Sequence, residues 1–310
     1  MKAIVTGGAG FIGSNLALEL EKQGAKVLVI DDFSSGDFHN LACFRGDVIA
    51  DDVNHLDWNK LDPVDAVFHQ AALTDTTITD QKRMIAANVE GFRKVLDYAI
   101  RRRAKLIYAS TAALYGNSPA PQREDESISP LNVYAFSKLV GDQIALQAAK
   151  EGSVTIVGLR YFNVYGLREQ FKGKAASMIF QLADQIRQNK RPRIFHDGEQ
   201  KRDHICVKDV VAANLAAFEA KQSGVVNVGT GVSTTFNRLI EILNDVLGTR
   251  LAPDYFENPY GFYQKDTQAG TTRAKKLLKF EARFTIEEGI RDYLTDLYQL
   301  KPNGVVSAKR

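Results

Sequence analysis

Cysteine is nearly absent: Cys43 and Cys206 are the only two in 310 residues, and neither stands in a C-x-x-C or metal-ligand spacing. A disulfide framework is therefore excluded. The five histidines, His39, His55, His69, His196 and His204, form no H-E-x-x-H or paired spacing, so no metal site is expected. Charge of one sign is lacking too. Forty basic residues against 37 acidic leave +3, too balanced to argue for nucleic acid or a membrane surface. No apolar run approaches the ~18 residues of a spanning helix, and no signal peptide is evident, which with the scarce cysteine predicts a cytoplasmic protein. Internal repeats and low-complexity linkers are also missing. The densest basic cluster, Arg101-Arg102-Arg103, falls where a helix should end and reads as a solvated terminus complementing the helix dipole.

What the chain does have is an ordinary globular composition, 45% hydrophobic and 25% charged, and a distinctive beginning. Met1 to Thr6 is an apolar run, Gly7-Gly-Ala-Gly10-Phe11-Ile12-Gly13 follows at once, and Ser14 to Gln23 reads as an amphipathic helix. A strand entering a glycine turn that opens a helix is the context that gives G-x-G-x-x-G its meaning. Glycines let the backbone approach a pyrophosphate, and the helix N-terminus offers free N–H groups. Lys26 to Ile30 is a second strand, closed by Asp31-Asp32. Asp31 lies 31 − 13 = 18 positions beyond Gly13, near the offset of a carboxylate that bonds the adenosine ribose. Such a carboxylate repels a 2′-phosphate, so NAD is expected over NADP.

Further strands are predicted at Ala42–Arg45, followed by Gly46-Asp47-Val48 where an acid can reach adenine, at Val64–His69 before Gln70-Ala71-Ala72, at Leu106–Ala109 and at Val154–Leu159. Helical spacing runs from Asp80 to Arg103, and Arg160 to Gly166 reads as a loop. Strands alternating with helices at this rhythm predict an α/β, Rossmann-type, doubly wound parallel sheet. Beyond it the pattern loosens: helices near 175–188, 207–220, 234–247 and 285–300, strands near 193–195 and 225–229, and a polar tail from Lys301. With no linker between them, a smaller C-terminal α/β substrate domain is expected to interleave with the first. The expected division is 1–165, with a contribution from 206–229, for the cofactor, and 166–310 for the substrate.

Polar residues cluster where ligands bind such sheets, beyond the strand ends. Ser110-Thr111 follow the fifth strand. Tyr134 and Lys138 stand i and i+4 on a helix, on one face. A tyrosine beside an ammonium is expected to ionise more readily than at its usual pKa near 10. It can then take a hydroxyl proton while hydride leaves the same carbon for NAD, with Thr111 bonding the developing oxyanion and Lys138 the nicotinamide ribose.

Together these residues resemble the extended short-chain dehydrogenase/reductases that act on nucleotide sugars. Thr6 to Gly13, Ala109-Ser-Thr111, Tyr115-Gly116, Tyr134-x-x-x-Lys138, Arg160-Tyr-Phe-Asn163, Arg202-Asp203 and Asn227-Val-Gly-Thr-Gly231 carry the likeness across nearly the whole chain. The resemblance implies a nucleoside diphosphate sugar as substrate, roles for Asn163 and Arg202 at its diphosphate, and a homodimer or higher homo-oligomer built on helices such as 80–103 and 134–150. It implies cofactor contacts from Gly7, Gly10, Phe11, Ile12, Gly13, Asp31, Asp32, Asp47, Val48, Ala71, Ala72, Asn88, Ser110, Tyr134, Lys138 and Tyr161. Ala112-Ala113 stand where the family's dehydratases carry Asp-Glu, which disfavours dehydration. The stretch Asn163 to Ser177, with Pro130–Tyr134 and Tyr263–Ala269, further resembles the ADP-glyceromanno-heptose 6-epimerase branch. That likeness implies Lys172 as a second base facing the tyrosine, and Arg168, Ser177 and Tyr263 as substrate contacts. A UDP-hexose or UDP-glucuronate 4-epimerase, and a reductase or dehydratase of the same fold, stay open.

Overall fold

The computed structural model describes residues 1–126, 128–258 and 264–300. Its first half alternates strand and helix: β1 (Lys2–Thr6), α1 (Phe11–Lys22), β2 (Lys26–Asp31), β3 (Asp47–Ala50), β4 (Ala66–His69), α2 (Gln81–Ile85), α3 (Gly91–Arg102), β5 (Lys105–Thr111), α4 (Val133–Glu151) and β6 (Ile156–Tyr161). Shorter elements follow: β7 (Asn163–Tyr165), α5 (Met178–Arg187), β8 (Arg193–Phe195), β9 (Lys201–Cys206), α6 (Val207–Glu219), β10 (Gly224–Val228), β11 (Ser233–Thr235), α7 (Phe236–Leu247), β12 (Asp254–Phe256), α8 (Thr272–Leu278) and α9 (Ile286–Tyr298).

Seven strands form one sheet in the order β10-β6-β5-β4-β1-β2-β3, every pair parallel. Parallel sheets are covered on both faces, and the sequence supplies apolar residues for each. Ala3 and Val5 pack in a core with Leu16, Leu20, Val210 and Ala213, whereas Ile4 between them joins Phe92, Val95 and Ala145 on the opposite face. That alternation is the period-2 geometry of a strand. The strand order reverses at β1, so the loops after β1 and β4 diverge and leave a crevice between them. A three-stranded sheet, β11-β9-β7, and a two-stranded sheet, β12-β8, stand apart from the large one. A second core, containing Ile179, Leu182, Leu239, Leu243, Ile290 and Tyr293, packs α5, α7 and α9 together.

Several boundaries differ from expectation for local reasons. The third strand is Asp47–Ala50, not Ala42–Arg45. The apolar residues of the earlier stretch dock a turn, with Leu41 and Phe44 packed against the core and the Phe44 N–H donating to Leu41 O at 2.9 Å. The helix expected over 80–103 is interrupted by a π-helical turn at Ala86–Glu90. Asp80 caps its start, accepting from the Arg83 N–H at 2.9 Å. Arg160 and Tyr161 belong to β6, and 163–165 is strand β7 rather than loop. β11, β12 and α8 were too short for periodicity to announce. Arg102 does more than complement the helix dipole: its Nη2 donates to Asn59 O and Leu61 O, both at 3.0 Å. The expected tail from Lys301 lies outside the described residues.

Candidate active site

The glycine turn is tight enough to define who can occupy it. Gly7 has φ +65°, and a Cβ there would sit 2.6 Å from Ala71 N in the loop after β4. A Cβ on Gly13 would sit 2.0 Å from Gly7 O. No side chain caps α1 at Gly10, which leaves first-turn N–H groups for an anion. At the end of β2, Asp31 is buried, its Oδ2 accepting from Ala9 N–H and its Oδ1 from Phe33 N–H, both at 2.8 Å. Burial raises its pKa, and these bonds pull the other way. Asp32 lies beside it, its Oδ1 accepting from the Ser34 hydroxyl at 2.7 Å.

These residues open on a cleft of about 850 Å³ that also takes in Phe11, Ile12, Ala71, Ala72, Ser110 and Tyr161. Thr111, Tyr134, Lys138 and Lys172 line the same cleft. Three expected cofactor contacts do not line the cleft. Asp47 and Val48 pair with Leu28 and Val29 on the edge strand of the sheet and do not line the cleft; Asp51, Asp52 and Val53, past the end of β3, do. Asn88 also stands back from the cleft. It holds the wall in place instead, its Oδ1 accepting from Leu73 N–H at 2.8 Å and its Nδ2 donating to Ser137 Oγ at 3.0 Å. Sequence reasoning missed Gln70, whose Oε1 accepts from the Tyr161 hydroxyl at 3.1 Å, and Arg83. Gln70's place directly after a strand end was the available signal.

Tyr134 is held by α4, whose first turn is capped by Asn132 Oδ1 accepting from Ala135 N–H at 2.8 Å. The expected easing of its ionisation is corrected: burial raises its pKa, and a hydrogen bond with Thr111 is what opposes the rise. Lys138 donates from Nζ to Ala109 O at 3.0 Å, and burial brings its pKa down to about 8 against the pull of Asp142. Behind it, Asp142 accepts from the Tyr108 hydroxyl at 2.9 Å and from Arg160 Nε at 3.0 Å. Arg160 also donates to the Tyr115 hydroxyl at 2.9 Å, which donates to Asn227 Oδ1 at 2.6 Å. This buried chain fixes the floor beneath α4.

Lys172 comes from the segment between β7 and α5, its Nζ 5.7 Å from the centre of the Phe11 ring. Burial lowers its pKa, while the Glu169 carboxylate raises it. Glu169 rivets that segment at both ends, with Oε1 accepting from Gly166 N–H at 2.9 Å and Oε2 from Ser177 N–H at 2.6 Å.

A second cavity, of about 500 Å³, is lined by Asn163, Ser177 and Arg202 among the expected substrate contacts. Asn163 Nδ2 donates to Asp203 O at 3.1 Å, and Ser177 Oγ both caps α5 and donates to Glu169. Val164 lines this cavity and the larger cleft alike. Arg168 is corrected: it lines neither space, because its left-handed backbone (φ 78°) turns it toward α1, where it donates to Asn15 Oδ1 at 2.9 Å. Tyr263 lies outside the described residues. Arg193, Gln200 and His204 also line the cavity and were not anticipated. Among the described residues no cluster of His, Cys, Asp or Glu is arranged to hold a metal. No described helix is long and apolar enough to cross a membrane.

The model of the NAD dependent epimerase/dehydratase family matches residues 3–229. The chain belongs to that family. An ADP-L-glycero-D-manno-heptose-6-epimerase from Alkalilimnicola ehrlichii is 40% identical, covering 94% of this chain and 96% of its own. The crystal structure of the Helicobacter pylori ADP-L-glycero-D-manno-heptose-6-epimerase superposes with a TM-score of 0.91 at 41% identity, over 96% of each chain. A UDP-N-acetylglucosamine 4-epimerase from Methanobrevibacter ruminantium M1 reaches 0.90 at 31% identity, over 96% of this chain and 99% of its own.

As a member of this family the chain is an NAD-dependent epimerase acting on a nucleotide sugar, and its cleft fits that cofactor on its own evidence. The turn at Gly7 and Gly13 has no room for side chains where a pyrophosphate must approach, and Asp31 closes β2 with a carboxylate rather than a cation. Bound NAD supplies the acceptor and donor of a hydride.

Proposed function

We propose that the chain epimerises C6 of ADP-glycero-manno-heptose by transient oxidation. The observation that carries this reading is that Tyr134 and Lys172, from opposite halves of the chain, line one cleft with the glycine turn. Tyr134, whose buried hydroxyl ionises here only with the positive charge of bound NAD opposing the effect of burial, takes the proton of the C6 hydroxyl as the C6–H bond breaks, leaving a ketone, with Thr111 hydrogen-bonded at the reacting oxygen. Rotation about C5–C6 presents the opposite face of that carbon. Lys172 then protonates the oxygen as the C–H bond re-forms; its depressed pKa makes it a better acid than a surface lysine. Lys138 bonds the nicotinamide ribose. The two bases exchange protons with solvent before the next turnover.

On this reading 1–165, with 206–229, carries the cofactor, and 166–310 the nucleotide sugar. Arg202 and Asn163 hold the diphosphate in the second cavity, both being suited to donate to phosphate oxygens. Ser177 acts at the edge of that cavity, through its bond to Glu169. The relatives named for heptose epimerisation support this substrate over the UDP-sugars. Exposed Phe136 and Leu146 on α4 support a homodimer through that helix, which light scattering tests directly. The substrate test uses purified protein with ADP-heptose, UDP-glucose or UDP-glucuronate and no added cofactor. A C6 epimer from ADP-heptose alone, with steady absorbance at 340 nm, is expected; turnover of a UDP-sugar instead, or stoichiometric NADH, refutes the assignment.

A further inference from the structure

The second cavity contains a group that the proposed chemistry leaves unused. His204 lies two residues beyond Arg202 on β9 and so on the same face of the strand, directly opposite Asn163 of β7. Its ring is buried, at 5% exposure, and lines the cavity. Among the described residues neither Nδ1 nor Nε2 has a hydrogen-bond partner. Phe236 packs edge-on against it with ring centroids 6.3 Å apart, and supplies no polar atom. Burial and the charge of Arg202 hold its pKa at about 3, so the ring is neutral. An apolar side chain would pack against Phe236 without this deficit, since each unpartnered buried polar atom costs about 1–3 kcal/mol. Groups of this kind are accounted for when a ligand completes them.

The surroundings limit what that ligand can be. Arg202 brings a guanidinium, the geometry that matches phosphate oxygens, whereas Arg193 is held by Asp254 at 3.1 Å and lies over the Phe256 ring. Phe195 and Phe256 meet edge to face at 4.8 Å, an aromatic wall for a base, with Gln200 offering an amide to its edge. Between a diphosphate and a base lies a ribose. A neutral imidazole presents one N–H donor and one acceptor nitrogen, the complement of a hydroxyl, which both donates and accepts. A phosphate oxygen has no proton for the acceptor nitrogen.

We propose that His204 hydrogen-bonds a ribose hydroxyl of the nucleoside diphosphate and thereby selects ribonucleotide over deoxyribonucleotide sugars. The proposal rests on the reading above that this cavity holds the nucleotide. The test is calorimetric titration of the NAD-loaded protein with ADP, 2′-deoxy-ADP and 3′-deoxy-ADP. Wild-type protein is expected to bind ADP about tenfold more tightly than at least one deoxy analogue. His204→Phe should lose about that factor for ADP and bind the analogue with equal strength, and His204→Asn, which keeps a donor and an acceptor, should recover part of the preference. Equal wild-type binding of all three nucleotides overturns the proposal, as does an undiminished preference in His204→Phe. Wild-type protein that binds none of them refutes the assignment of the cavity itself. Should His204→Phe not fold, as shown by lost NAD content, the wild-type comparison of the three nucleotides decides alone.

Discussion

Lys138→Met should make the cofactor-free protein more stable at neutral pH while abolishing turnover. Lys138 is buried and its pKa falls from 10.5 to about 8, so the folded state disfavours its charge. Below pH 8 both folded and unfolded chains carry the proton and the full cost applies. Between about 8 and 10.5 the unfolded chain binds more protons, so wild-type stability rises with pH; above 10.5 the cost is gone. The gap corresponds to about 3 kcal/mol at ~1.36 kcal/mol per pH unit. Methionine fills the volume of the alkyl stem, but Ala109 O loses its donor, which returns about 1 kcal/mol. A net gain of about 2 kcal/mol remains, roughly 3 °C in Tm for 310 residues. The assay is thermal unfolding of both proteins, stripped of nucleotide, at steps from pH 7 to 10.5. The variant's advantage should be largest at pH 7 and fade across that window. A variant less stable at pH 7, or an advantage that ignores pH, refutes the reasoning.

Three further outcomes are expected. Tyr134→Phe should lower kcat by about 10³-fold or more while retaining NAD, read as cofactor absorbance in the purified protein; near-normal turnover removes Tyr134 from the chemistry. Lys172→Met should lower kcat by roughly 10²–10⁴-fold with little change in KM, and a rise in KM alone makes it a phosphate contact instead. Asp31→Asn keeps an acceptor for only one of the Ala9 and Phe33 N–H groups, which bond different carboxylate oxygens, and removes the charge that repels a 2′-phosphate. The ratio of NADP to NAD affinity, measured by titration, should rise about tenfold, and an unchanged ratio shows that another group excludes NADP.

The alternating strands and helices of the first half of the fold were legible because their signals are local. The glycine turn, the carboxylate after β2 and the Tyr134–Lys138 spacing each follow from a few consecutive residues. Three of the shortest strands escaped: β7, β11 and β12 are three residues each, and their pairing partners lie far away in sequence. Asp47 was misplaced because the apolar residues around Phe44 pack a turn against the core, which periodicity does not distinguish from a strand. Arg168 had the right chemistry for a phosphate and the wrong direction, set by a backbone conformation that no residue pattern announced. His204 was visible only as one histidine among five. Its meaning depends on burial, on Arg202 two positions earlier and on bonds it does not make.

The central claim is that hydride leaves one carbon and returns to that same carbon from a cofactor the protein retains. Substrate carrying deuterium at C6 tests it most directly, turned over in ordinary water with no added NAD. The account predicts epimerised product with the deuterium still at C6 and no net change at 340 nm. Product in which solvent hydrogen has replaced the deuterium, or NADH accumulating with each turnover, contradicts it.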